Sequence, residues 1–147
     1  MIFIGSDHAG FELKEDILKY LHQRGESVTN LGTDSKENVD FTTFASKVAE
    51  SVIKQNGKGI LFCFSGQGMA IAANKIHGIR AAVAWMPEIA EESRAHSNTN
   101  ILCLPAGFIK SELAKQIIEK WLATPFAGEE RYMRRIKQIK QLENNNK

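Results

Sequence analysis

Hydrophobic positions recur along this chain with two different periods, one typical of buried strands and the other of amphipathic helices. Short apolar runs predict five strands, over residues 2–5, 27–31, 60–63, 79–85 and 101–104. Apolar residues three and four positions apart predict helices between them, over residues 9–24, 41–53, 69–74, 87–95 and 111–122. Strands and helices that alternate through short connections favour a parallel sheet with helices on both faces. We therefore expect one α/β domain spanning residues 1–147.

The segment from residue 128 onward breaks this alternation, because it predicts a helix with no strand after it. This helix, predicted over residues 128–143, would carry Tyr132, Ile136 and Ile139 on one face. Since it need not cross the sheet, it could pack on a partner subunit or lie on the surface in solvent. The terminal residues 144–147, Asn-Asn-Asn-Lys, are expected to be disordered.

Composition and charge limit the class of protein. The chain is 43% hydrophobic and 24% charged, as in ordinary globular proteins. The net charge of +2 is too small to predict a nucleic-acid partner, and residues 128–147 alone contribute six Lys or Arg against three Glu. The N-terminus lacks the pattern of a signal peptide, and no apolar stretch is long enough to predict a membrane span.

The cysteines and histidines predict neither a disulfide nor a metal site. Cys63 and Cys103 both lie in apolar runs, which fits a reducing cytoplasm. Neither these two cysteines nor the four histidines have the spacing of metal ligands, so we expect no metal.

The residues that follow Cys63 carry the clearest chemical signal. Cys63 ends an apolar strand, and Phe64-Ser65-Gly66-Gln67-Gly68 then leads into a predicted helix. The glycines allow a sharp turn, which would place the thiol at the N-terminus of that helix. Free N–H groups and the helix dipole stabilise a thiolate or a bound anion there. The alternative is a small core cysteine beside a tight turn.

Other polar residues are predicted at the two edges of the sheet. Ligands bind beyond the carboxyl ends of parallel strands, where Asp7 and His8 would join Cys63. His96 and Asn100 are predicted at the opposite edge of their own subunit, so they would fit a site shared with a neighbouring subunit.

Each of these residues also has a purely structural interpretation. Asp7 and His8 could cap a helix, and His96 could cap the end of another. The arginines at 131, 134 and 135 could form a solvated helix face, although clustered guanidinium groups also match phosphate oxygens.

Taken together, these motifs resemble the ribose-5-phosphate isomerase B family, whose superfamily also includes galactose-6-phosphate isomerase subunits. The matching segments within residues 1–136 are Gly5–Gly10, Leu13-Lys14, Asn30–Thr33, Val39–Phe41, Gly59–Lys75, Gly78–Ala82, Ser93–His96 and Thr99-Asn100. The resemblance implies a flavodoxin-like three-layer α/β/α sandwich with a five-stranded parallel sheet and an extra C-terminal helix. It also implies no cofactor, a phosphorylated sugar as substrate, and a homodimer or dimer of dimers with active sites between subunits.

The resemblance also implies roles for the catalytic residues. Cys63 would move a proton between C1 and C2 of the open-chain sugar, because Met69 occupies the position of a glutamate that does so in some members. Ser65 would keep a catalytic hydroxyl where the family has threonine. His96 would open the furanose ring, with Asp7 assisting.

Substrate binding is implied for a larger set. The amides of residues 64–68 would hold the enediolate oxygen. Three cationic or titratable side chains, His8, Arg131 and Arg135, would hold the phosphate. The other implied substrate contacts are Phe41, Phe64, Gly66, Gln67, Gly68, Ser97 and Asn100.

Four departures from the family's pattern alter the predicted substrate frame. Phe64 replaces a glycine, Ser97 an asparagine, Gly107 an arginine of the phosphate site, and Tyr132 a histidine. Gly107 and Ser97 would enlarge the pocket while Phe64 fills a different part of it. We therefore expect interconversion of ribose 5-phosphate and ribulose 5-phosphate, with another pentose or hexose phosphate as the alternative. A phosphosugar-binding protein with reduced catalysis, or a flavin or nucleotide binder, is further from the pattern.

Overall fold

The five apolar runs form the strands of one parallel sheet. In the computed structural model, which describes residues 1–146, they are β1 (Ile2–Ser6), β2 (Val28–Asn30), β3 (Lys58–Cys63), β4 (Ala81–Val83) and β5 (Ile101–Pro105). The strand order is β2-β1-β3-β5-β4, and every neighbouring pair is parallel. β3 therefore lies in the centre, with Ile60 opposite Ile4 on one side and Leu102 on the other.

Six helices connect and follow these strands. They are α1 (Phe11–Gln23), α2 (Phe41–Gln55), α3 (Gln67–Ala73), α4 (Pro87–Ser97), α5 (Ser111–Ala123) and α6 (Glu130–Asn145). Their ends lie within two residues of the predicted ones. Because α6 continues to Asn145, part of the terminal segment expected to be disordered is helical, and Lys147 lies outside the described residues.

β4 is shorter than the predicted strand over residues 79–85. It is an edge strand that pairs only with β5, through Ala81, Ala82 and Val83. The N–H of Ile79 donates instead to the carbonyl of Ile76 at 3.1 Å, which holds it in the preceding turn. Ile79, at the start of this segment, is therefore a buried side chain in a turn rather than part of a strand.

The alternation of side chains along β3 assigns the helices to two layers. Ile60 and Phe62 belong to a core shared with α1, α4 and α5, whereas Leu61 and Cys63 face α2 and α3. Both faces of the sheet are thus covered, and the predicted three-layer α/β/α sandwich is confirmed.

The last helix, α6, lies against its own subunit. Tyr132 is buried there, and the Glu143 carboxylate accepts the N–H of Gly78 at 2.9 Å. Met133 and Leu142 remain exposed, and the packing of α6 on a partner subunit stays a prediction. None of the helices within residues 1–146 is both long and apolar enough to cross a membrane.

Candidate active site

The turn after β3 has a geometry that requires glycine. Cys63 ends the strand and is only 5% exposed. Gly66 follows with a φ of +77°, in the left-handed region that other residues avoid. A Cβ at this position would also lie 3.2–3.3 Å from Val83 and Leu104. The turn therefore brings the main chain back against β4 and β5 immediately beyond the thiol.

The loop of residues 64–68, here named the β3 loop, offers free hydrogen-bond donors. The Ser65 hydroxyl accepts the N–H of Gln67 at 3.3 Å. The N–H groups of Ser65, Gly66 and Gly68 have no hydrogen-bond acceptor within the described part of the chain. Several unpaired N–H groups at the start of a helix are suited to hold an oxyanion. This loop can thus stabilise negative charge close to Cys63.

The two thiols differ in their surroundings. Both cysteines are free, but Cys103 is fully enclosed in the core, whereas Cys63 lies at the open end of its strand. Burial, together with the neighbouring Cys63, raises the pKa of Cys103. Cys63 is therefore the thiol available for chemistry, and Met69 beside it is fully buried.

Asp7 and His8 extend the same edge of the sheet. The Asp7 N–H donates to the Phe62 carbonyl at 3.3 Å, which places Asp7 next to the end of β3. One Asp7 carboxylate oxygen accepts the N–H of Gly10 at 3.1 Å, in the turn before α1, but no side chain caps the first turn of that helix. The His8 Nδ1 accepts the Val39 N–H at 3.2 Å, which fixes the ring against the segment before α2.

Two polar residues at this edge, Asn38 and Asp40, were not predicted from the sequence as site residues. His8 lines a cleft of about 340 Å³ together with Asn38, Val39 and Asp40. These residues lead into α2, whose first residue, Phe41, lies against Gly68 of the β3 loop. The signal was available, because the segment before a helix in an α/β unit lies at the carboxyl edge of the sheet.

Phe64 and Gly107 share one space, which corrects the expectation that they alter separate parts of the pocket. A Cβ on Gly107 would lie 2.4–2.8 Å from three atoms of the Phe64 ring. The Gly107 N–H donates to the Phe64 carbonyl at 2.9 Å, and the ring packs edge-on against Phe108 with centroids 5.2 Å apart. A side chain at residue 107, where the resemblance implies an arginine, would thus meet the Phe64 ring.

His96 lies far from Cys63 within one chain. α4 begins at the carboxyl edge and runs back across the sheet, so nine residue steps carry His96 about 14 Å along the helix axis from Pro87. Ser97 ends the same helix. These two residues therefore lie away from the β3 loop of their own subunit. The sequence predicted this separation for His96.

Two arginines hold the segment that follows His96. The Arg80 guanidinium donates to the carbonyls of Ser97 at 3.1 Å and Asn98 at 2.8 and 3.1 Å. Arg94 donates to the Asn98 side chain at 2.9 Å and to the Thr99 carbonyl at 2.5 Å. Burial lowers the pKa of both guanidinium groups, but an arginine keeps its charge at neutral pH.

The Asn100 side chain is hydrogen-bonded to the main chain, and its contact with substrate stays a prediction. Its side chain accepts the Arg80 N–H at 2.8 Å and donates to the Gly78 carbonyl at 2.9 Å. Both ends of the amide are therefore used to join two loops, and Asn100 positions the segment after α4.

Arg131 and Arg135 lie on α6 beside the end of α4. The contact between the two helices is a stack of the His96 and Tyr132 rings, with centroids 4.4 Å apart. Arg131 pairs with Glu129 at 3.2 Å, and Arg135 is exposed one turn further along.

The predicted site residues therefore form two groups in one chain. Those at the carboxyl edge are Asp7, His8, Phe41, Cys63, Phe64, Ser65, Gly66, Gln67 and Gly68, and those at the ends of α4 and α6 are His96, Ser97, Arg131 and Arg135. Among residues 1–146, no three His, Cys, Asp or Glu side chains are arranged to hold a metal ion.

Comparison with known proteins gives one consistent result. The family described as Ribose/Galactose Isomerase matches residues 2–139. Ribose-5-phosphate isomerase B of Escherichia coli (strain K12) is 41% identical over 143 residues, which cover 97% of this chain and 95% of that protein. The solved ribose-5-phosphate isomerase B of Clostridium thermocellum has a TM-score of 0.97 and 41% identity, covering 99% of both chains. The ribose-5-phosphate isomerase B of Mycoplasma genitalium was solved with bound ribulose-5-phosphate. It has a TM-score of 0.93 and 37% identity, and the match covers 97% of this chain and 95% of that chain.

Proposed function

This chain belongs to the ribose/galactose isomerase family, and from that premise we propose that it interconverts ribose 5-phosphate and ribulose 5-phosphate without a cofactor. The observation that carries the proposal is the placement of the Cys63 thiol beside the unpaired N–H groups of the β3 loop. An aldose–ketose isomerase needs these two features together: a base for the proton on carbon, and donors for the oxyanion that forms when this proton leaves.

In the proposed mechanism, the Cys63 thiolate removes the proton from C2 of the open-chain aldose. The electron pair of the broken C–H bond forms the enediolate double bond, and the charge moves to the C1 oxygen, which the N–H groups of Ser65, Gly66 and Gly68 stabilise. The Cys63 thiol then returns the proton to C1, while Ser65 passes the C2 hydroxyl proton to the C1 oxygen. Met69 cannot accept a proton, which leaves this role to Cys63.

We further propose that the working site forms between two subunits of a homodimer in the cytoplasm. The group that contains Cys63 and the group that contains His96 lie at opposite edges of one subunit. A partner could therefore bring His96, Arg131 and Arg135 to the β3 loop. There His96 would open the sugar ring with Asp7, and the arginines would bind the phosphate with His8.

The direct test of the proposal is turnover of a panel of aldose and ketose phosphates. We expect the purified protein to form ribulose 5-phosphate from ribose 5-phosphate in the presence of a chelator, measured by the absorbance of the ketose. The Cys63→Ala protein, purified in the same way, controls for isomerases of the expression host. If the protein turns over only a different sugar phosphate, the proposed reaction type stands and the proposed substrate is wrong.

Another pentose or hexose phosphate is a second candidate substrate, because the Phe64 ring occupies the space beside Gly107. Gly107→Arg alone is expected to raise KM for ribose 5-phosphate, since its Cβ would lie within 2.8 Å of the Phe64 ring. In the Phe64→Gly background, Gly107→Arg should instead lower KM about tenfold or more, because a hydrogen bond to a charged group contributes about 1.5–3 kcal/mol.

The four proteins of this double-mutant cycle are compared by their KM values. A lower KM in Gly107→Arg with Phe64 still present would show that the two residues do not compete for space. If another sugar phosphate has a lower KM than ribose 5-phosphate only while Phe64 is present, Phe64 sets the substrate preference.

A further inference from the structure

Tyr132 contacts both functional groups that the end of α4 and the start of α6 would contribute. Its ring stacks on the His96 imidazole with centroids 4.4 Å apart and planes 15° apart. Its hydroxyl accepts a hydrogen bond from Arg131 at 2.9 Å. We infer that Tyr132 is a positioning residue whose ring sets the plane of His96 and whose hydroxyl sets the guanidinium of Arg131. This inference rests on the proposed function for the roles of those two residues.

The ring of Tyr132 is the contact that orients His96. The His96 side chain is 43% exposed at the end of its helix. Glu92 lies 3.6 Å from its Nδ1, which is longer than a hydrogen bond, and the His96 imidazole makes no hydrogen bond within residues 1–146. Tyr132 is itself only 8% exposed and is therefore a fixed surface for stacking. A half-exposed imidazole held in one plane can be aimed at a ring oxygen, whereas a rotating one cannot.

The hydroxyl of Tyr132 acts on a different partner. Arg131 is exposed, and its guanidinium lies over the Tyr132 ring, 4.8 Å from the ring centre. Its N–H groups are held at two points, by the Tyr132 hydroxyl and by Glu129 at 3.2 Å. A guanidinium has five N–H donors, so these two contacts leave donors free for phosphate oxygens. Holding a long side chain in place before binding lowers the entropy lost when the ligand binds. One tyrosine thus orders both the group that would act on the sugar ring and the group that would hold the phosphate.

Two substitutions separate these roles. Tyr132→Phe keeps the ring and removes the hydroxyl, so we expect kcat within about twofold of the wild type and KM raised about threefold to tenfold. Tyr132→Leu removes the ring as well as the hydroxyl. We therefore expect the same rise in KM together with a fall in kcat of about tenfold or more. Tyr20→Phe is the matched control, because the Tyr20 hydroxyl also accepts a hydrogen bond from an arginine, Arg24 at 3.1 Å, on the remote helix α1.

A spectroscopic readout tests the stack independently of turnover. The imidazole C–H proton resonances of His96, identified with His96→Gln, should be displaced by the tyrosine ring in the wild type and in Tyr132→Phe. They should move to ordinary positions in Tyr132→Leu. If this variant does not fold, as judged by circular dichroism, Tyr132→Met removes the flat ring at similar volume.

Two results would overturn the inference. One is an equal loss of kcat in Tyr132→Phe and Tyr132→Leu, and the other is wild-type kcat in Tyr132→Leu despite the altered His96 resonances. If the wild type turns over no sugar phosphate, the proposed function fails instead. The resonances then decide whether Tyr132 holds His96. Resonances that keep their wild-type positions in Tyr132→Leu overturn that arrangement, and resonances that move to ordinary positions support it.

Discussion

Replacing Cys63 with alanine is expected to stop exchange of the substrate's C2 proton with solvent and to lower kcat by roughly 10²–10⁴-fold, the usual contribution of a positioned base. Binding of the phosphosugar should stay within about tenfold of the wild type, because the thiolate acts on the transition state and the loop donors remain. Exchange is measured by NMR in deuterated water, and binding by calorimetry.

Cys103→Ala is the matched control for this substitution. Cys103 is fully buried, and its pKa is raised by burial, so it should neither support turnover nor react with iodoacetamide. Modification of Cys63 alone, with protection by ribulose 5-phosphate, would agree with the assignment. Wild-type turnover by the Cys63→Ala protein would contradict it.

Mixing Cys63→Ala with His96→Ala, each impaired in turning over ribose 5-phosphate, is expected to restore activity on that substrate. After random exchange of subunits, half of the dimers would be mixed and each would contain one intact site, which gives about one quarter of wild-type activity. The physical reason is the separation of the two residues within one chain. Absence of activity after subunit exchange has been verified by mass spectrometry would argue against a shared site.

The His96→Ala protein alone has its own expected behaviour. Its rate from ribose 5-phosphate should stop rising with enzyme concentration, because spontaneous opening of the furanose ring then limits the supply of open-chain substrate. The rate from ribulose 5-phosphate should stay proportional to enzyme, since this ketose forms no furanose ring. His22→Ala, on the exposed end of α1, is the control and should behave as the wild type.

Local sequence signals were sufficient for the elements and for the Cys63 turn. Short apolar runs located the strands, because both faces of the sheet are buried, and apolar residues three and four positions apart located the helices, which bury one face. The turn was predictable because the left-handed conformation at residue 66 needs glycine. The order of the strands has no such local signal, since nothing in the periodicity of β5 indicates that it inserts between β3 and β4.

The errors in the site follow from that missing information. Phe64 and Gly107 follow β3 and β5, and only the adjacency of these strands shows that the residues compete for one space. The hydrogen bonds from the Asn100 amide to the main chain of residues 78 and 80 likewise had no local signal. The stack of His96 on Tyr132 joins two helices with α5 between them in sequence. Residue type predicts what a side chain can bind, whereas long-range packing decides what it does bind.

The placement of the two groups at opposite edges of one subunit has a consequence for the newly made chain. If the site is shared as proposed, a single copy carries two incomplete halves that face away from each other and processes no substrate before it meets another copy. Specific activity would then depend on protein concentration and fall on dilution below the dissociation constant of the dimer. Synthesis of the polypeptide and appearance of the activity would be separate events, with assembly as the step between them.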